Sequence, residues 1–274
     1  MERRVFYDPE EILRRVEKRV GEIRARGEGL DFITFVPDGE PTLDLNLGVE
    51  VELLKSLGVP IAVLTNGSLL WNPHVRRDLM DVDVVSVKVD AVDEELWRRI
   101  NRPHGFLSLD RVLEGMLEFS REYGGRLITE TMLIDGVDYG VELDRIAEFL
   151  SELDPHKAYV AIPIRPPAEE WVRPASERVV NEAFQKFSER LGEGRVEYLI
   201  GYEGTAFHYT GRFEEDILSI TSVHPMREDA VKELLERSNA GWEEVERLIQ
   251  TGLLVELEYG GHKFYMRRIP SRNP

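Results

Sequence analysis

A chain of 274 residues, 42% hydrophobic and 32% charged, is long enough for one large domain or one domain with a small appendage, and has a globular balance. Its formal net charge of −17 disfavours broad binding to nucleic-acid phosphates, which needs clustered Lys and Arg. The absence of cysteine excludes disulfides, zinc–thiolate sites and any cysteine-held cluster within these residues, and the six histidines are scattered without a metal-ligand spacing.

The chain opens on Met1-Glu2-Arg3-Arg4 and runs into a charged amphipathic pattern over 9–25. No apolar signal-peptide core is present, and no apolar run approaches the roughly 18–20 residues of a membrane span. These features predict a cytoplasmic protein without membrane partners. Asp8-Pro9-Glu10-Glu11 is a helix start, with Asp as cap and Pro at the first helical position.

Short, β-branched runs then alternate with helical patterns. Strands are predicted at 31–36, 61–65, 84–89, 127–133, 158–164 and 196–200, and helices at 46–57, 73–80, 93–100, 108–122, 141–152 and 175–191. Such alternation predicts a parallel sheet with crossover helices. The first element is a helix, where a repeating strand–helix array would begin with a strand. The order therefore fits either a fold that starts on a helix or one whose first strand lies upstream.

Near residue 210 the pattern changes. Residues 212–222 and 227–250 read as helical, with breaks at Pro225 and Gly241. Residues 253–259 and 262–266 read as a β-hairpin turning on Gly260-Gly261. Helices followed by a hairpin predict a small winged-helix-like unit, giving domains at 1–205 and 206–274. Residues 210–274 carry nine Lys/Arg against twelve Asp/Glu, which favours a packing or protein-contact role over DNA binding.

In a parallel sheet the C-terminal strand ends share one face, and ligand groups gather there. The first end carries Asp38, Gly39, Glu40 and Pro41, and the second Thr65, Asn66, Gly67 and Ser68. Lys88 and Asp90 follow on the third, Glu130 lies within the fourth, and Arg165 follows the fifth. Glu130 inside an apolar strand fits a site group or a buried ion pair with Lys88 or Arg165. Asn101-Arg102-Pro103-His104 offers an anion-binding guanidinium and a proton-moving imidazole, or a capped helix end.

Four segments together resemble the radical S-adenosylmethionine (SAM) superfamily, within it the iron–sulfur oxidoreductases related to tRNA wybutosine-synthesis enzymes. They are Asp38-Gly39-Glu40-Pro41-Thr42-Leu43, Leu64-Thr65-Asn66-Gly67-Ser68-Leu69-Leu70, Ile100-Asn101-Arg102-Pro103-His104 and Arg165-Pro166-Pro167-Ala168-Glu169. The resemblance covers roughly residues 5–200. It implies an α/β fold: a partial (β/α)6 barrel lacking its first strand, with the C-terminal unit as an appendage. It implies SAM as cofactor. Asp38, Gly39, Glu40 and Pro41 match the element that holds the methionine amino group. Thr65 and Asn66 lie where ribose or carboxylate contacts are expected. Asp90 and Glu130 occupy later strand positions that contact SAM or substrate, and Arg165 lies where the last strand approaches adenine and carboxylate. Lys88 departs from the pattern, because relatives carry a small residue there.

The resemblance further implies a [4Fe–4S] cluster on a CxxxCxxC loop, reductive SAM cleavage to a 5′-deoxyadenosyl radical, a reductant such as flavodoxin or ferredoxin, and modified tRNA as a weakly indicated substrate. The cysteine loop and the first strand would both precede Met1. The expectation is therefore a radical SAM oxidoreductase whose cluster segment lies upstream. The alternative is a cluster-free SAM-binding or scaffold protein.

Overall fold

The computed structural model of the chain describes residues 2–36, 39–201, 207, 209–222 and 225–268. They form two compact units, Met1–Ile162 with Ala175–Leu199, and Pro163–Pro174 with Ile200–Pro274. The expected boundary at 205/206 lies outside the described residues.

In the first unit, α1 (Pro9–Ala25) starts where Asp8 accepts the amide hydrogen of Glu10. It leads to β1 (Ile33–Phe35) and then to α2 (Leu47–Lys55), on which it packs. The order continues β2 (Ile61–Thr65), α3 (Pro73–Leu79), β3 (Val84–Lys88), α4 (Glu94–Asn101), α5 (Leu109–Glu122), β4 (Arg126–Met132), α6 (Glu142–Leu153), β5 (Lys157–Ala161), α7 (Glu177–Leu191) and β6 (Val196–Leu199). All six strands form one parallel sheet in sequence order, from Ile33 opposite Ile61 to Ala161 opposite Leu199. An order without reversal is that of a β/α barrel and not of a doubly wound sheet, whose order turns back at a switch point. With β1 and β6 at its edges, the unit is a partial (β/α)6 barrel. Ahead of α1 the described residues add only a bridge between Arg4 and Asp44, and no strand of this sheet.

Val63, Val85, Val87 and Val160 of the sheet are fully buried and pack in one core with Leu54, Leu79, Phe119, Ile146 and Phe187 of the helices. Strands covered on both faces read as continuous apolar runs, which is why they were legible in sequence. Two differ from expectation. The ladder of β1 takes only three residues, and Phe32 and Val36 at its flanks stay exposed. The fifth strand ends at Ala161, short of 164, and Pro163 follows. Proline cannot donate to a ladder, and residues 163–174 belong to the second unit.

The second unit holds α8 (Phe213–Ile220), β7 (Met226–Arg227), α9 (Glu228–Ser238), α10 (Trp242–Gln250), β8 (Leu254–Tyr259) and β9 (His262–Arg267). The stretch predicted as helical over 227–250 is two helices, parted where Asn239 takes φ 51° and Gly241 follows. The hairpin is present, with positive φ at Gly260 (57°) and Gly261 (77°), as a two-residue primed turn requires. The short β7, which sequence patterning missed, completes an antiparallel sheet of order β7-β9-β8. Ile217, Met226, Val231, Val245, Leu248 and Tyr265 form the core of this unit.

Candidate functional site

The strand ends of the first unit carry an uneven set of polar groups. After β1, Asp38 lies outside the described residues. A Cβ at Gly39 would meet nothing within 4 Å, so this glycine stands beside open space. Pro41 opens a single 3-10 turn, Pro41–Leu43.

Glu40 is 9% exposed, and its carboxylate is the knot of this region. Oε1 accepts from the amide of Thr42 at 3.1 Å, the hydroxyl of Thr42 at 2.6 Å and the hydroxyl of Thr65 at 2.6 Å. Oε2 accepts from the amide of Asn66 at 2.8 Å. Four donors on one carboxylate tie the turn after β1 to the end of β2, and charge-assisted bonds of this kind are the stronger class. Thr65 is engaged again, accepting from the amide of Gly67 at 3.0 Å. Asn66 caps its own turn by accepting from the amide of Ser68 at 2.9 Å.

The third end is arranged differently. Lys88 and Glu130 sit opposite each other in the β3–β4 register and form an ion pair, Lys88 being one of the two partners expected for Glu130. Two residues on, Asp90 is 4% exposed. Its Oδ2 accepts from the side-chain amide of Asn101 at 2.6 Å, and its Oδ1 from the amide of Met132 at 2.8 Å. Burial pushes the Asp90 carboxyl above the usual carboxylate range and Glu130 adds to the rise, while the Lys88 charge, the Met132 amide and Asn101 oppose it.

A cavity of about 190 Å³ opens here. Asn66, Lys88, Asp90, Asn101, Arg102 and His104 supply polar lining, and Trp97, Leu109, Val112 and Met116 an apolar wall. Typical small-molecule sites span roughly 300–1,000 Å³, so this volume seats part of a ligand, the rest lying outside. Of the residues predicted for a site, Asn66 and Asp90 line the cavity. Glu40 and Thr65 stand behind Asn66 and hold it, and Glu130 is paired to Lys88. Arg165 belongs to the segment grouped with the second unit.

Glu142 escaped the sequence reading. It is 6% exposed, and its Oε1 accepts from the amides of Val92 at 2.6 Å and Asp93 at 2.9 Å, anchoring the loop that carries Asp90. Nothing local marks it, because its partners lie some fifty positions away in the chain. Arg102 takes φ 48° at the end of α4, which places it and His104 at the cavity. Among the described residues, no three His, Asp or Glu side chains are grouped to hold a metal ion, and no helix is long and apolar enough to cross a membrane.

A family model described as "Radical SAM superfamily" matches residues 2–150. A UPF0026 protein of Methanocaldococcus jannaschii is 48% identical over all 274 residues, which span 85% of that protein. Among solved structures, SuiB of Streptococcus suis bound to S-adenosylmethionine aligns with a TM-score of 0.52 at 13% identity, covering 72% of this chain and 46% of that one. A radical SAM methyltransferase of Sphaerobacter thermophilus aligns with a TM-score of 0.51 at 20% identity, covering 72% and 59%. At these identities the structural likenesses bear on the fold alone.

Proposed function

The chain belongs to the radical SAM superfamily, and on that premise we propose that it binds S-adenosylmethionine at the C-terminal ends of its parallel strands. The observation that carries the reading is the cavity where Asn66, Asp90 and Asn101 converge on one apolar wall. SAM presents an ammonium, a carboxylate, a sulfonium and a purine. Asp90 suits a cationic group, Asn66 and Asn101 supply donors and acceptors, and Arg102 suits a carboxylate. Glu40 and Thr65 act by fixing the backbone at Asn66. Asp38, Gly39, Pro41, Glu130 and Arg165 are proposed as further SAM-binding residues on the family resemblance alone.

A [4Fe–4S] cluster supplies the electron that cleaves SAM in this superfamily, and it is held by thiolates. These 274 residues contain no cysteine, so their donor set does not fit the cluster. What this chain's own residues support is the binding half of that chemistry. Partners of the cluster-bearing reaction, a flavodoxin or ferredoxin reductant and a modified tRNA, belong to the same proposal. The charge of −17 weighs against a broad tRNA footprint.

Titration calorimetry of the chain with SAM tests the reading. Binding at one site is expected, and Asn66→Ala should weaken it about tenfold, roughly 1.4 kcal/mol. A folded protein that takes up no SAM at millimolar ligand would sink it.

A further inference from the structure

We infer that Asp90 reads positive charge in the strand-end cavity, taking a cationic group of the ligand against its carboxyl and giving up a proton as that group settles. The inference rests on the SAM reading, since SAM supplies such groups, and it assigns to that site a proton coupling and a charge preference.

The geometry carries it. Asp90 lines the cavity yet is 4% exposed, so its charge would be poorly hydrated. Its carboxyl accepts two hydrogen bonds, from Asn101 and Met132, where the slightly less buried Glu40 accepts four. Among the described residues no cation closes an ion pair on it. Lys88 on β3 is the nearest candidate in sequence, and its ammonium is taken by Glu130 on β4.

Other charged and titratable groups lie around it. Tyr139, between β4 and α6, is pushed up to about 12 by burial and stays neutral, its hydroxyl accepting from the amide of Ile134. Glu142 on α6 is held by two backbone amides, and Arg99 on α4 donates to the carbonyl of Gly136. Arg102 and His104 line the cavity from the segment after α4, where they suit the carboxylate of a ligand carrying both signs of charge. The β3–β4 trio of Lys88, Glu130 and Asp90 therefore has no net charge with Asp90 protonated and one negative charge with it ionised. A ligand cation is what would balance the second state.

Desolvation dominates the empty cavity and raises the Asp90 carboxyl, as its burial requires. An arriving cation reverses the balance, because an opposite charge within about 4–6 Å favours the ionised form. The sign follows: ionisation on binding releases a proton, so affinity rises with pH until the empty-state acid is itself ionised.

Two measurements on the intact chain test this. Carboxyl carbon NMR of protein labelled at aspartate, with Asp90→Asn for assignment, should show Asp90 as the aspartate that ionises last, and should show it ionised once SAM is saturating. Calorimetry with SAM in buffers of different ionisation enthalpy should show release of about one proton, with binding up to about tenfold tighter per pH unit on the acid side. Asp90→Asn should abolish both the release and the slope. An Asp90 that is already ionised in the empty protein, or proton release unchanged in Asp90→Asn, would overturn the inference while SAM binding stood. Absence of any binding by a protein whose Asp90 titrates last would instead bring down the SAM reading, and the coupling with it.

Discussion

At the β1–β2 end of the sheet the buried carboxylate of Glu40 accepts four hydrogen bonds from its own chain, whereas at the β3 end the buried carboxylate of Asp90 accepts two and faces a cavity. Both are acidic residues just past a short apolar strand, and both read as site residues in sequence. The difference lies in the donors that folding brings to each. Glu40 sits in a turn that meets two threonine hydroxyls and two amides, so both of its oxygens are engaged within the chain. Asp90 is left with capacity that a ligand can use. Two acids at equivalent strand-end positions thus differ in how far the chain itself satisfies them, which position alone does not reveal.

The contrast can be broken most severely through the packing that the two regions share. Gly115 of α5 lies against the loop after β2, and a Cβ there would collide with the backbone of Trp71 and lie 2.7 Å from the carbonyl carbon of Leu70. Gly115→Ala should cost about 4 kcal/mol in denaturant titration, since neither backbone can yield cheaply. A loss below about 1 kcal/mol would show that the α5 contact is softer than drawn.

Glu40→Ala comes next. It leaves the Thr65 hydroxyl and the Asn66 amide without their acceptor, and should cost about 3 kcal/mol in unfolding free energy. Asp90→Asn sharpens the comparison from the other side. The amide keeps an acceptor for Met132 and is neutral, as the protonated acid is, so the change should stay within about 1 kcal/mol of zero. If the two substitutions cost the same, the distinction between the two acids fails.

Glu50 offers a third, milder test. It is 3% exposed on α2, its Oε1 has no hydrogen-bond partner among the described residues, and burial, helped by the charge of Asp44, pushes its carboxyl up to about 7. Because its acidity is weaker in the folded state than in the unfolded chain, ionisation favours unfolding. Stability should therefore fall as pH rises from the ordinary Glu range and level off above about 7. Glu50→Gln should flatten that fall in melting temperature and gain about 2 kcal/mol above it, somewhat less than the full linkage because the new amide also needs partners. A fall that persists in Glu50→Gln would assign it to another group.

Much of the fold was legible because buried parallel strands and amphipathic helices leave local patterns. The six strands, with β1 and β5 shorter than expected, the seven helices packed on them and the Gly260-Gly261 turn follow those patterns, and Asp8-Pro9 marks the start of α1. The two-residue β7 carries no pattern of its own and exists because Arg227 meets Phe264 across the chain. The site was half legible for the same reason. Asn66 and Asp90 follow strands that could be seen, while the Lys88–Glu130 pair depends on a register and the Glu142 anchor on a contact some fifty positions away.

By itself the amino-acid order determined the parallel αβ alternation, the absence of any thiolate ligand and the family to which the strand-end motifs belong, because those follow from residue type and short-range spacing. Only the tertiary structure decided which acid meets four donors and which meets two beside a cavity, because hydrogen-bond satisfaction and desolvation are set by neighbours that the chain brings together from far apart.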